Sequence, residues 1–227
     1  MRTIPFAGLG FDLDGTLLDT FRDLGAAVNH ALAAHGFDPV PVDSSKDLIG
    51  GGAKIMLARA IDAQGGLPDD EFRTAYKRML DYYAKNNAVH SRPYPGVVET
   101  LDRFAADQIP LAVVTNKFEA FARQILTALG LADRFVAIIG GDSLGKGEDG
   151  KRIAKPRPEP VLAAKRACGG ARFAFVGDSS YDVAAARAAG VPVVVAAYGY
   201  CDAPPHELGG DGVIGSFGEL PDMLAGL

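Results

Sequence analysis

The sequence predicts an α/β fold: a doubly wound, Rossmann-like parallel sheet with an all-helical domain inserted after its first strand. Three observations carry this. Short runs that are apolar almost throughout recur along the chain, as in strands covered by helices on both faces. Amphipathic helical stretches separate most of them. Residues 19–86 break the alternation and read as helices only. With 227 residues, 48% of them hydrophobic, the chain can bury one large core and a smaller second one.

The expected strands are residues 7–12, 109–116, 135–140, 172–178 and 191–198. Helices are expected between them. Val97, Leu101 and Phe104 mark the one before the second strand. Phe118, Phe121, Ile125 and Leu129 share a face of the next, which Gly130 stops. Val161, Ala164 and Cys168 mark the helix before the fourth strand. Ser216 and Glu219 form a capping-box pattern ahead of Leu220, Met223 and Leu224. Within the insertion, Phe21, Leu24, Val28 and Leu32 form one stripe, closed by Gly36. Ile55, Leu57 and Ile61 form a second, and Phe72, Tyr76, Met79 and Tyr83 a third. The domain boundaries are expected at 1–18 with 90–227 for the main body and 19–89 for the insertion. The return passes through Arg92-Pro93-Tyr94-Pro95-Gly96, a poor helix or central-strand segment.

Composition excludes several classes. No apolar run approaches the ~20 residues of a membrane helix, so no membrane partner is expected. The N-terminal apolar stretch ends at Asp12, too soon for a signal peptide. The net charge is −5, from 23 basic and 28 acidic residues, which argues against nucleic-acid binding. Cys168 and Cys201 make no disulfide framework, and a cytoplasmic location is expected. Cys168 lies on an apolar helix face and reads as a core filler; no physical role for Cys201 follows from the sequence. The scattered histidines have no zinc-ligand spacing, so a metal would be held by oxygen.

Four motifs fall at or just beyond the ends of expected strands, the edge where open parallel sheets bind ligands. In Phe11-Asp12-Leu13-Asp14-Gly15-Thr16-Leu17, a strand ends in two carboxylates, and Gly15 permits a sharp departure. Such a pair is unfavourable without nearby positive charge, which a hard cation such as Mg²⁺ supplies; an acidic turn is the plain reading. In Val113-Val114-Thr115-Asn116-Lys117, a hydroxyl and an amide suit phosphate oxygens, and equally suit a helix cap. In Lys155-Pro156-Arg157-Pro158, prolines pre-position a lysine that by itself would read as solvated. In Val176-Gly177-Asp178-Ser179-Ser180-Tyr181-Asp182, the two acids lie one helical turn apart. Asp178 suits a metal, and Asp182 suits an orienting role or an ordinary first-turn acid.

This ordered set resembles the haloacid dehalogenase-like phosphohydrolases across essentially the whole chain. Gly140-Gly141-Asp142, Tyr198-Gly199-Tyr200, Leu48-Ile49-Gly50-Gly51-Gly52-Ala53 and residues 214–227 are similar to the phosphoglycolate phosphatase branch. The resemblance implies that the insertion is a helical cap domain. It implies that Asp12 is the nucleophile, forming an aspartyl-phosphate, and that Asp14 passes protons to the leaving group and from water. Mg²⁺ would be held by Asp12, Asp178 and the backbone carbonyl of Asp14, with Asp182 behind them. Thr115, Asn116 and Lys155 would hold the phosphate. Gly15 joins them as a substrate contact, and Gly50, Gly51 and Gly52 form a candidate contact loop that reads equally as a flexible helix start. Lys46 and Lys54 are nearby basic candidates. The expected substrate is 2-phosphoglycolate, the partner a small phosphorylated metabolite, and the assembly a monomer or small homo-oligomer. A sugar-phosphate mutase, or a phosphatase for another small metabolite, would share the carboxylates. A phospho-accepting signalling domain would lack the second acid and the inserted helices. One departure stands out: residues 143–154 are longer than the same connection in relatives, polar and Gly-rich, and are expected to form an exposed, mobile loop.

Overall fold

A computed structural model describes residues 4–49 and 51–227. In chain order, β1 (Gly8–Phe11) precedes three helices, α1 (Phe21–Ala33), α2 (Ala53–Asp62) and α3 (Asp69–Asn86). Then come α4 (Val97–Ala106), β2 (Leu111–Val114), α5 (Glu119–Ala128), β3 (Ala137–Ile139), α6 (Glu159–Ala167) and β4 (Phe173–Gly177). The chain ends with α7 (Ser180–Ala188), β5 (Val193–Ala196), β6 (Gly212–Ile214) and α8 (Leu220–Ala225). It divides into two compact units, Met1–Asp19 with Pro93–Leu227, and Thr20–Arg92.

The first unit holds a parallel sheet in the order β3-β2-β1-β4-β5-β6. The chain builds outward from β1 to β3, then returns to β1's other side with β4. That reversal leaves a crevice at the carboxyl ends of β1 and β4, where Phe11 pairs with Val113 and Val176. The expected strands are all present. The sheet adds β6, a three-residue edge strand in which only Ile214 is fully buried, too short for an apolar run to betray.

Both faces of the sheet are covered. On one, Ala112, Val114, Phe173, Phe175, Val193 and Val195 pack with Val161 and Ala164 of α6 and Ala185 and Ala186 of α7. Gly8 and Gly10 of β1 point the same way, where a Cβ would strike Cys168 and Phe173. Cys168 thus fills the space beside a glycine, as a core filler should. On the other face, Phe11 lies 6.5 Å from Phe104 of α4 and 5.8 Å from Phe217, ring centre to ring centre.

Several expected stripes are rotated. On α5, Ala122, Ile125 and Leu126 are buried, while Phe118, Phe121 and Leu129 are only half-buried. On α2, Ile55 is 39% exposed, and Met56, Leu57, Ala60 and Ile61 form the inner face. On α3, Ala75 joins Met79 and Tyr83, while half-buried Phe72 and Tyr76 stack on each other. Alanines occupy inner positions because small side chains let helices approach closely, and larger neighbours then sit at the rim. The expected capping box at Ser216 takes another form: the Glu219 carboxylate accepts the Gly215 N–H at 3.0 Å and the Ser216 hydroxyl at 2.9 Å. A short 3₁₀ turn (Phe217–Glu219) intervenes before α8.

Residues 143–154 are exposed but not structureless. Gly147 N–H donates to the Lys151 carbonyl at 2.9 Å, Ile153 N–H to that of Gly145 at 3.0 Å, and Arg157 pairs with Asp149. The glycines thus close a hairpin rather than a loose loop, with Lys146 and Lys151 on its exposed surface. In the second unit, the buried carboxylate of Asp23 on α1 takes the backbone N–H groups of His90 and Ser91 and the Ser91 hydroxyl.

Candidate active site

Asp12 follows the last residue of β1, its N–H donating to Val176 C=O at 2.9 Å. Fully buried Leu13 anchors the turn beyond it, and the N–H groups of Leu17 and Leu18 both return to the Leu13 carbonyl. Gly15 sits in that turn at φ +87°, where a Cβ would strike the Asp178 carboxylate. Its N–H donates to Leu18 C=O at 2.9 Å. The structure therefore employs Gly15 to bring the ends of β1 and β4 together.

Asp178, the residue after β4, is held from two sides. The Thr16 hydroxyl donates to its Oδ1 at 2.7 Å, and the Tyr200 N–H to its Oδ2 at 2.7 Å. Tyr198 donates its hydroxyl to Thr16 C=O, and Tyr200 to Asp19. Gly199 between them has no room for a Cβ against Gly15 and Asp178. The Tyr198-Gly199-Tyr200 string is thus a clamp across the first and fourth motifs.

Asp182 combines the two readings of the sequence. It completes a capping box with Ser179 at the start of α7. Its Oδ2 accepts N–H groups from Asp178 and Ser179 and the Ser179 hydroxyl. Its Oδ1 lies 2.6 Å from Lys155 Nζ, which also lies 2.6 Å from Asp12 Oδ1. Lysine 155, expected at the site from its proline context, is 5% exposed and bridges the two acids.

The second motif arrives at the same edge. Thr115 is buried, and its hydroxyl oxygen accepts the Lys117 N–H at 3.2 Å. Asn116 donates its amide to the Lys155 carbonyl at 3.1 Å, so it braces the lysine segment. Gly140 and Gly141 let the end of β3 press against this segment: a Cβ on Gly141 would meet the Asn116 carbonyl. Asp142 then accepts the Glu119 N–H at the start of α5. Lys117, which sequence reasoning passed over, places Nζ 3.1 Å from Asp14 Oδ1. Thr16 and Tyr200 were missed as well, since their contacts arise only when distant loops meet. The one available signal was a lysine directly after Thr-Asn at a strand end.

Burial pushes the Asp12 carboxyl up to about 7 although Lys155 opposes it, and the charges of Asp182 and Asp14 add to the rise. Asp178 is held well above the ordinary carboxylate range, by burial first and then by Asp182 and Asp12, against the bonds from Thr16 and Tyr200. For Lys155 burial works downward, but the two acids more than reverse it. Ligand atoms of Asp12, Asp178 and Asp182 lie within 4.8 Å of one another. Asp12 Oδ1 is buried, with the Lys155 ammonium 2.6 Å away as its ion-pair partner. Counting Asp14 and Lys117, four carboxylates face two ammonium groups. With all four ionised the shortfall equals one divalent cation; without one, the raised Asp12 and Asp178 carboxyls take up protons instead. An all-oxygen donor set fits a hard ion such as Mg²⁺.

Of the remaining expected site residues, Gly50 lies outside the described residues. Gly51 and Gly52 belong to the helical unit, with φ +71° and +95°, ahead of α2. There too, Lys46 Nζ lies over the Phe21 ring at 4.4 Å and Lys54 Nζ 6.0 Å from the Phe72 ring. Among the described residues, no helix is long and apolar enough to cross a membrane.

Comparison with known proteins agrees with this geometry. The profile of haloacid dehalogenase-like hydrolases matches residues 10–196. A phosphoglycolate phosphatase of Agrobacterium fabrum is 41% identical over 228 aligned positions, covering 99% of this chain and 95% of that protein. One from Mesorhizobium japonicum is 39% identical, covering 95% of this chain and 93% of that protein. The crystal structure of a predicted phosphoglycolate phosphatase from Haemophilus somnus superposes with a TM-score of 0.87 at 34% identity, covering 96% of this chain and 97% of that one.

Proposed function

The chain belongs to the haloacid dehalogenase-like hydrolases, and from that premise we propose that it is a Mg²⁺-dependent phosphatase that hydrolyses 2-phosphoglycolate to glycolate and phosphate. One observation carries the reading: Asp12 and Asp178 converge at the switch point of the sheet, with Lys155 bridging Asp12 to Asp182. The relatives' activity supports the choice of substrate.

In this reading the Asp12 carboxylate attacks phosphorus, and the bond to the glycolate oxygen breaks. Asp14 gives its proton to that departing oxygen. The ionised Asp14 then takes a proton from water, whose oxygen displaces Asp12 from phosphorus. Asp12 and Asp178, with the Asp14 carbonyl, would hold Mg²⁺; bound there, the ion neutralises charge on the phosphate and keeps Asp12 ionised. Lys155 adds a fixed positive charge beside the nucleophile, and Thr115 offers its hydroxyl hydrogen to a phosphate oxygen. Asn116 acts through Lys155, whose backbone it holds. Phosphoryl transfer is chiefly positioning and charge neutralisation, which this set of groups supplies. The helical insertion is read as the cap domain.

The test is phosphate release from 2-phosphoglycolate with Mg²⁺ and with a chelator, for the natural protein and for Asp12→Asn. Turnover that needs the metal and disappears in the variant is expected. Turnover by Asp12→Asn, or an equal rate in chelator, would overturn the mechanism.

A further inference from the structure

Lys117 is the second ammonium group enclosed by this site. Its side chain is 5% exposed, and that of its partner Asp14 is 14% exposed, with Nζ and Oδ1 3.1 Å apart. Enclosing an ammonium group sacrifices much of its hydration unless a partner compensates it. Lys155 answers Asp12 and Asp182; Lys117 answers Asp14, the carboxyl that must exchange a proton twice in each turnover.

The backbone of Lys117 is firmly placed. Its N–H donates to the Thr115 hydroxyl oxygen at 3.2 Å, and its carbonyl accepts the Gly141 N–H at 2.8 Å. Gly141 in turn is pressed on the Asn116 carbonyl. The end of β3 therefore braces the residue that grips Asp14. A proton donor held from a rigid strand end is delivered to one place, whereas an unheld carboxylate rotates.

We infer that Lys117 is a positioning residue for proton transfer: by gripping Oδ1 it holds the Asp14 carboxyl in one orientation toward the reacting oxygen. This rests on the acid–base role proposed above for Asp14. In the first step the Asp14 proton goes to the bridging oxygen as its bond to phosphorus breaks and the bond to Asp12 forms. In the second, Asp14 recovers a proton from water as the water oxygen bonds to phosphorus and the Asp12–phosphorus bond breaks. Lys117 keeps its own protons throughout.

A holding role acts on kcat rather than on KM, and only where a proton must move. The formation of phospho-Asp12 from p-nitrophenyl phosphate needs no proton, because the phenolate leaves unaided. Lys117→Met should lower kcat on 2-phosphoglycolate by about 10- to 100-fold, part of the ~10²–10⁴ that general acid–base catalysis contributes. Its KM should stay within about 3-fold, and the pre-steady-state burst of p-nitrophenolate should slow by no more than about 3-fold. Lys117→Arg, which keeps a cation at the carboxylate, should recover most of the loss. If Lys117→Met does not fold, Lys117→Gln takes its place. A burst that slows as much as turnover, or a KM that rises while kcat is kept, would show Lys117 acting on the phosphate instead and overturn the inference. Asp14→Asn separates the two levels. If it retains full turnover of 2-phosphoglycolate, the role of Asp14 itself fails. If it is inactive while Lys117→Met behaves as the natural protein, only the holding role fails.

Discussion

Lys155 is the residue on which the charge balance of the site turns. It is fully enclosed, 2.6 Å from both Asp12 and Asp182. Replacing it by methionine keeps the apolar stem but leaves two buried carboxylates facing each other and Asp178. Losing one partner of a buried ionic group typically costs about 3–5 kcal/mol. Lys155→Met should therefore lower the thermal midpoint strongly in a chelator, and Mg²⁺ should restore more stability to the variant than to the natural protein. Phosphatase activity should stay low even when the fold is restored, since no lysine then stands beside Asp12. A variant as stable as the natural protein in chelator would mean that the acids are not crowded as the distances state.

Helix α1 shows how a single acid can fasten an element. Asp23 is 2% exposed, and its carboxylate receives N–H groups from His90 and Ser91 at 2.9–3.0 Å and the Ser91 hydroxyl at 2.7 Å. Hydrogen bonds to charged groups are the stronger ones, and their loss leaves donors stranded, so Asp23→Ala should destabilise by about 2–4 kcal/mol in urea unfolding. A change below about 0.5 kcal/mol, the level of an unremarkable surface substitution, would contradict that reading. Nothing in the pattern of α1 announced this acid as buried; it follows Arg22 and stands outside the stripe of Phe21, Leu24, Val28 and Leu32. Elements were legible where burial is symmetric: strands covered on both faces show apolar runs, and five of them were readable. Edge strand β6, with one fully buried residue, left no such trace. Helical faces were read less well, because Ala60, Ala75 and Ala122 line the core while bulkier Ile55, Phe72 and Phe118 stand farther out. At the site, acids at strand ends could be located because a carboxylate after an apolar run is conspicuous. Lys117, Thr16 and Tyr200 could not, because each reaches its partner across loops that only the folded sheet brings together.

For the protein as a whole, the crowded carboxylates should make stability depend on both proton and metal. Asp12 is pushed up to about 7 and Asp178 well above the ordinary range, both chiefly by burial. An unfolded chain returns each to about 3.9. The raised values mean that the folded state binds more protons than the unfolded state between those limits. Without metal, their contribution is fully present below about pH 4 and is lost as the pH rises through about 7. The metal-free protein should thus show a falling thermal midpoint across that window. Mg²⁺ competes with those protons, so its stabilisation should be small at acid pH and grow until the carboxyls would otherwise be ionised. At a hundredfold excess over its Kd, an ion bound only by the folded state adds about 2.7 kcal/mol. Scanning calorimetry at several pH values, with chelator and with Mg²⁺, measures both trends together. A midpoint insensitive to Mg²⁺ at every pH, or a metal effect that shrinks toward neutral pH, would show that Asp12 and Asp178 do not share an ion.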